Sequence, residues 1–132
     1  MRQAALAVIL LAIGCHSPTS PGDALPKTHG RLAGVVKIGP NCPVESSTQP
    51  CPTPPSAYAL RKVLLFDEGR TKLLFTVDID SQGLYFIDLA PGRYTVNIKG
   101  VGLDRSSDVP AVVTIHASDV TTLNINIDTG LR

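Results

Sequence analysis

Residues 80–96 read Asp80-Ser81-Gln82-Gly83-Leu84-Tyr85-Phe86-Ile87-Asp88-Leu89-Ala90-Pro91-Gly92-Arg93-Tyr94-Thr95-Val96. Tyr85, Ile87 and Leu89 alternate with Leu84, Phe86 and Asp88. Tyr94, Val96 and Ile98 alternate with Arg93, Thr95, Asn97 and Lys99. A period of two is the mark of a strand with one face on a core and the other toward solvent. Asp80-Ser81-Gln82-Gly83 and Ala90-Pro91-Gly92 have the composition of tight turns. The stretch therefore predicts turn, strand, turn, strand, with Tyr85, Ile87 and Tyr94 inward.

The same period continues outward from this stretch. Leu32, Gly34, Val36 and Ile38 alternate with Arg31, Ala33, Val35 and Lys37, and Leu73, Phe75 and Val77 with Lys72, Leu74, Thr76 and Asp78. Val113 and Ile115 form another strand, and Leu123, Ile125 and Ile127 alternate with Asn124, Asn126 and Asp128. Tyr58 to Phe66 ends in the β-rich run Val63-Leu64-Leu65-Phe66 and reads as a strand without assignable faces. No window has helical spacing capped at both ends. Seven short strands in about 100 residues predict an all-β, seven-stranded antiparallel sandwich of immunoglobulin-like size.

The pattern Asp80-x-x-Gly83-x-Tyr85-x-Ile87-x-Leu89-x-Pro91-Gly92-x-Tyr94-x-Val96 resembles the signature of carboxypeptidase regulatory-like domains, which are prealbumin-like (transthyretin-like) sandwiches. The flanks resemble a narrower group of bacterial envelope proteins with one such domain. There a Gly-Pro-x-Cys-Pro segment, a second Cys in a Pro-rich loop and a Thr-Gly-Ile-Arg ending correspond to Gly39-Pro40-Asn41-Cys42-Pro43, Cys51-Pro52-Thr53-Pro54-Pro55 and Thr129-Gly130-Leu131-Arg132. Leu131 departs from the Ile of that ending. The resemblance covers about residues 31–132 and implies a fold; it assigns no reaction.

Composition narrows the function. The chain has 132 residues, 12 Lys and Arg against 11 Asp and Glu, and a formal charge of +1. That balance gives no reason to expect nucleic acid or an acidic partner. The length is that of one domain.

The first residues carry an address. Arg2 precedes an apolar stretch from Ala4 to Ile13, about 15 Å long as a helix and too short to span a bilayer. The stretch closes on Leu11-Ala12-Ile13-Gly14-Cys15. It resembles a bacterial lipobox, with residues 1–14 as signal peptide and Cys15 as the lipidated residue, although Ala12 occupies the place that usually holds Leu. Ordinary signal-peptidase cleavage after the small residues Ala12 and Gly14 is the alternative. The odd count of three Cys favours acylation, because it leaves Cys42 and Cys51 as a pair. A triacylated, palmitate-bearing Cys15 would be a stable anchor. Removing Arg2 would leave equal numbers of basic and acidic side chains, so the acyl chains rather than a basic patch would hold the membrane. His16 stands where Asp would resemble an inner-membrane retention signal, which favours the outer membrane. Residues 15–30, rich in Pro, Gly and small polar residues, read as a tether reaching about 45 Å when extended. The domain is expected over 31–132.

Cys42 and Cys51 are the sharpest local feature. In an oxidising compartment they are expected to pair. The bond is then either a staple on a long connection or the closure of a displayed loop. The candidate binding residues are Pro43, Val44, Glu45, Gln49 and Tyr58. Two Cys without further ligands do not complete a zinc site, and their spacing is not that of a Cys-x-x-Cys redox pair. Asp78-Ile79-Asp80-Ser81-Gln82-Gly83 imitates the start of a calcium loop, but position 12 is Leu89, where a bidentate Glu is needed. His16, His29 and His116 form no motif. The chain lacks a Gly-x-Ser-x-Gly nucleophile and the Tyr-Arg-Gly-Ser ending of transthyretin-like hydrolases. No catalytic residue, metal or cofactor is therefore expected. The reading is a non-catalytic, lipid-anchored envelope module, structural or binding a protein partner. The alternative is a glycan-binding or peptidoglycan-binding module with Tyr58, Phe66 or Phe86 as the sugar platform.

The anchor has a direct test. Cys15→Ser should abolish incorporation of labelled fatty acid and leave unprocessed or released protein. Unchanged labelling, or a mature N-terminus elsewhere, would exclude lipidation at this cysteine.

Overall fold

The computed structural model describes residues 28–44 and 46–131. Eight strands and one short helix follow one another: β1 (Gly30–Gly39), α1 (Pro55–Ala59), β2 (Lys62–Asp67), β3 (Leu73–Asp78), β4 (Leu84–Leu89), β5 (Gly92–Lys99), β6 (Ala111–Ile115), β7 (Val120–Thr122) and β8 (Ile125–Asp128). One sheet has β1 at its centre, with β4 on one side and β7 and β8 in succession on the other. The second sheet has the order β3-β2-β5-β6. The expected sandwich is the observed architecture.

Between the sheets lie the residues that the alternation marks as inward, together with Val63 and Leu65 from a run whose faces it leaves unassigned. Leu32, Val36 and Ile38 of β1 meet Val63 and Leu65 of β2, Tyr85 and Leu89 of β4, Val96 of β5, Ile115 of β6, and Ile125 and Ile127 of β8. Tyr85 is 3% exposed, and its hydroxyl donates to the Leu123 carbonyl at 2.6 Å, so the ring is buried without a stranded polar atom. Burial also raises the Tyr85 pKa.

The turn at Asp80–Gly83 is built as its composition predicts. Asp80 Oδ1 accepts the N–H groups of Gln82 at 2.9 Å and Leu84 at 2.8 Å. Gly83 has φ of 86°, and a Cβ there would lie 2.5 Å from the Val36 carbonyl and 3.0 Å from the Tyr58 ring. Both the left-handed backbone and the lack of space require glycine.

Five features differ from the sequence-based expectation. The run from Tyr58 is not one strand: Pro55 starts a single helical turn, consistent with the preference for Pro there, and β2 begins only at Lys62. The last strand is two, β7 and β8, both parallel to β1 and in one register with it. They separate at Leu123–Asn124, beside Gly34, where a Cβ would lie 1.9 Å from the Leu123 carbonyl. The Asn124 side chain takes over the ladder there, its Oδ1 accepting the Val35 N–H at 3.0 Å. The sandwich is thus antiparallel except along this side of β1.

Thr95, expected on the polar face, is 2% exposed. Its hydroxyl donates to the Glu68 carbonyl in the β2–β3 turn at 2.9 Å, and Arg93 pairs with Glu68 at 2.7 Å. Tyr94 is only half-buried against the core, and its hydroxyl donates to the Ala90 carbonyl at 2.7 Å across the Pro91-Gly92 turn. Finally, β3 is an edge with a bulge where it passes Leu65 and Phe66, so Leu73 and Phe75 stay 47% and 44% exposed and only Val77 is buried.

A buried ion pair joins the two long connections. Arg61, between α1 and β2, is 7% exposed. Its Nε and Nη2 donate to the Asp104 carboxylate at 2.6 and 2.9 Å, and Nη1 donates to the Ala57 carbonyl at 2.8 Å. Asp104 also accepts the Val101 N–H at 2.8 Å. Burial pushes the Asp104 carboxyl up. The Arg61 hydrogen bonds, the Val101 amide and the guanidinium charge outweigh it and hold the group below the usual carboxylate range.

Asp104→Asn should leave the guanidinium buried and uncompensated, costing about 3–5 kcal/mol at neutral pH in urea unfolding. A carboxyl depressed in the folded state contributes stability above its unfolded value of about 3.9, lost as pH falls through the folded value. The difference between the two proteins should therefore narrow below about pH 4. A constant difference across that range would contradict the assignment.

Candidate functional site

β1 leads directly into the cysteine loop, and its last residues fix where the loop stands. The Gly39 and Pro40 carbonyls accept from the N–H and hydroxyl of Thr129, at 3.0 and 2.6 Å, beyond the end of β8. Asn41 Nδ2 lies 3.0 Å from the Ile38 carbonyl, 3.1 Å from the Cys51 carbonyl and 2.9 Å from Thr53 Oγ1. One amide group thus ties the end of β1 to both sides of the loop's closure. Thr53 Oγ1 donates to the same Ile38 carbonyl at 3.1 Å.

Cys42 and Cys51 are joined by a disulfide, with Cα atoms 6.2 Å apart. Within the loop, Ser46 and Gln49 exchange backbone hydrogen bonds at 3.3 and 3.1 Å, forming a small closed turn. The bond closes a connection outside the alternating core, as the staple reading requires. The loop is also exposed. Pro43 and Gln49 are exposed, and Val44 is 75% exposed. An apolar side chain at that exposure stands two residues from the disulfide and three from the Asn41 amide that tie the base of the loop.

The structure gathers some of the predicted site residues and separates others. Pro43, Val44 and Gln49 share the loop. Glu45 and Cys15 lie outside the described residues. Tyr58 does not join them: it is 9% exposed in α1, packed over Gly83. The expectation of Tyr58 as an exposed ring is corrected. Pro55 starts a helical turn that carries the Tyr58 ring into the core. Among the described residues no group of three His, Cys, Asp or Glu is placed to hold a metal. Asp80, which suggested a calcium loop, spends Oδ1 on the turn amides, and Asp78 pairs with Lys62 at 2.6 Å.

Of the three candidate rings Tyr58, Phe66 and Phe86, Phe86 is the exposed one. It is 61% exposed on the outer face of β4, opposite Ala33 in the β1 register. With Val35, Leu84 and Asn124 it borders a shallow groove of about 360 Å³. Arg31 Cζ lies 4.7 Å from the Phe86 ring centroid, a cation–π distance, and the same guanidinium holds Asp88 by two hydrogen bonds of 2.7 and 3.0 Å. Those bonds keep the Asp88 carboxyl below its ordinary range against a smaller effect of burial. Sequence alternation placed Phe86 outward; its juxtaposition with Arg31 depends on the strand pairing and has no local signal.

Replacing both Cys42 and Cys51 with Ser should lower the melting temperature while leaving the sandwich folded. The chain-entropy model gives about 2.5–3 kcal/mol for a loop of this size. Mass spectrometry should find neither thiol alkylated until the protein is reduced. Collapse of the fold in the double variant would show that the bond is part of the core rather than a staple.

No protein-family model and no curated protein sequence matches the chain. Solved structures do. GBS52, a minor pilin of Streptococcus agalactiae, superposes with a TM-score of 0.52 at 17% identity, over 76% of this chain and 44% of that one. A DUF3823 family protein from Parabacteroides merdae gives a TM-score of 0.45 at 18% identity, over 80% and 47% of the two chains. The chain thus spans less than half the length of either protein. At these identities the likeness is one of fold: this chain shares a β-sandwich with the minor pilin.

Proposed function

We propose that the chain is a lipid-anchored protein of the bacterial envelope whose carboxypeptidase regulatory-like sandwich works without catalysis, as a structural or protein-binding module. The observation that carries this reading is the disulfide-closed loop, which presents Val44 to solvent above a tied base. A disulfide accords with an exported protein, since such bonds persist in oxidising compartments. The lipid anchor and the outer-membrane address rest on the pattern of residues 1–16. The partner is an envelope protein that docks on the loop.

One observation favours a second reading. Phe86, with Arg31, Asp88 and Asn124 around it, offers an apolar ring flanked by hydrogen-bonding groups, the arrangement on which sugar rings are held. The glycan alternative therefore moves from Tyr58 to Phe86.

A single set of pull-downs separates the two. Full-length protein, cross-linked in intact envelopes, should capture a partner that Val44→Asp loses and Phe86→Ala retains. Purified peptidoglycan and glycan arrays should show no saturable binding. Capture unaffected by Val44→Asp would remove the loop as the interface. Saturable glycan binding lost with Phe86→Ala would establish the second reading instead.

A further inference from the structure

A larger cavity, of about 780 Å³, lies at the other side of β1 from Phe86's strand. Its walls are the C-terminal part of β1, β8 and residues 105–107. Lys37 and Asn126 stand opposite each other in the β1–β8 register, and both line it together with Arg105, Ser107 and Asp128. Arg31, Arg61, Lys62 and Arg93 each pair with a carboxylate. Among the described residues no carboxylate pairs with Lys37 or Arg105, and the cavity sets these two cations against the single carboxylate of Asp128.

The nearby carboxylates accept amide hydrogen bonds. Asp108 Oδ2 accepts from the N–H and Nδ2 of Asn126 at 2.7 and 3.0 Å. Asp128 Oδ1 accepts the Gly130 N–H at 2.9 Å. The segment carrying Arg105 is also held on every side. Asp104 before it is locked by Arg61. The main chain of Arg105 exchanges two hydrogen bonds with Asp128, at 2.8 and 2.7 Å. Asp108 after it is fixed by Asn126, and its N–H donates to Ser106 Oγ at 3.2 Å. Binding therefore need not order this backbone, only the exposed Arg105 side chain.

We propose that this cavity binds an oxyanion, a carboxylate or phosphate group at the end of a larger ligand. Arg105 supplies a forked pair of donors matched to two oxygens, Lys37 a second positive charge, and Ser107 a hydroxyl donor. The cavity is several times larger than the anion itself, leaving room for the body of the ligand against Ile38 and Gly39. This site is separate from the loop and from Phe86, and neither reading of the function depends on it.

The test uses the full ¹⁵N-labelled chain in detergent micelles, titrated with inorganic phosphate and, separately, with acetate, at ionic strength held constant with sodium chloride. Saturable shifts should appear at the amides of Arg105, Ser106, Ser107 and Lys37. Arg105→Gln should weaken binding about tenfold or more, the loss expected for charge-assisted hydrogen bonds. Lys37→Gln should weaken it independently. Lys72→Gln, an exposed cation at the start of β3 and outside the cavity, should change nothing. The anion that saturates at lower concentration identifies the head group. Shifts that stay linear for both anions, or binding unchanged in both Arg105→Gln and Lys37→Gln, would overturn the proposal.

Discussion

A guanidinium buried between two connections must be neutralised where it stands, because an unpaired charge in that position would cost more than the domain can spare. Arg61 meets this constraint with Asp104, and the geometry of the pair sets much of the rest. It fixes the end of α1 through the Ala57 carbonyl, and with it the seat of the Tyr58 ring over Gly83. On the other side it fixes the β5–β6 connection, so that Arg105 reaches Asp128 and β8 gains a partner on its outer edge. Connections of this length are ordinarily the most variable part of a sandwich. Here they are braced by the same two side chains.

β1 is the second organising element. It pairs antiparallel with β4 and parallel with β7 and β8, so the first strand of the domain is flanked by its middle and by its end. Pairing across that sequence distance defers closure of the first sheet until β7 and β8 are available. The interruption at Leu123–Asn124 keeps both strands in register on β1 despite the close approach at Gly34.

The fold was legible where burial alone decides a side chain's face. Leu32, Val36 and Ile38, or Tyr85 and Leu89, alternate because each strand has one neighbour above and water below. Alternation misleads where a third element intervenes. Thr95 is buried by a turn folded across the outer face, which its own strand cannot announce. Leu73 and Phe75 have the pattern of a core strand, yet β3 is an edge and the opposite sheet does not cover them. Tyr58 carries an aromatic that suits a strand, a platform or a core position, and only Gly83 beneath it selects the last. Of the candidate sites, the cysteine pair was legible because its chemistry is local. The Arg61–Asp104 pair and the Lys37–Arg105 cavity join residues far apart in the chain. No local pattern links the members of either.

The parallel alignment of β1 with β8 has a mechanical meaning. β1 starts at the end of the sandwich where the chain enters, and β8 finishes at the opposite end, beside the root of the cysteine loop. Tension between an attachment before residue 30 and a load on the far end would pull these two strands past each other along their length. The hydrogen bonds of the ladder would then bear the force in shear, all at once, rather than opening one after another as in an unzipped hairpin. Loaded that way, the ladder keeps the two ends of the sandwich at a fixed distance from each other.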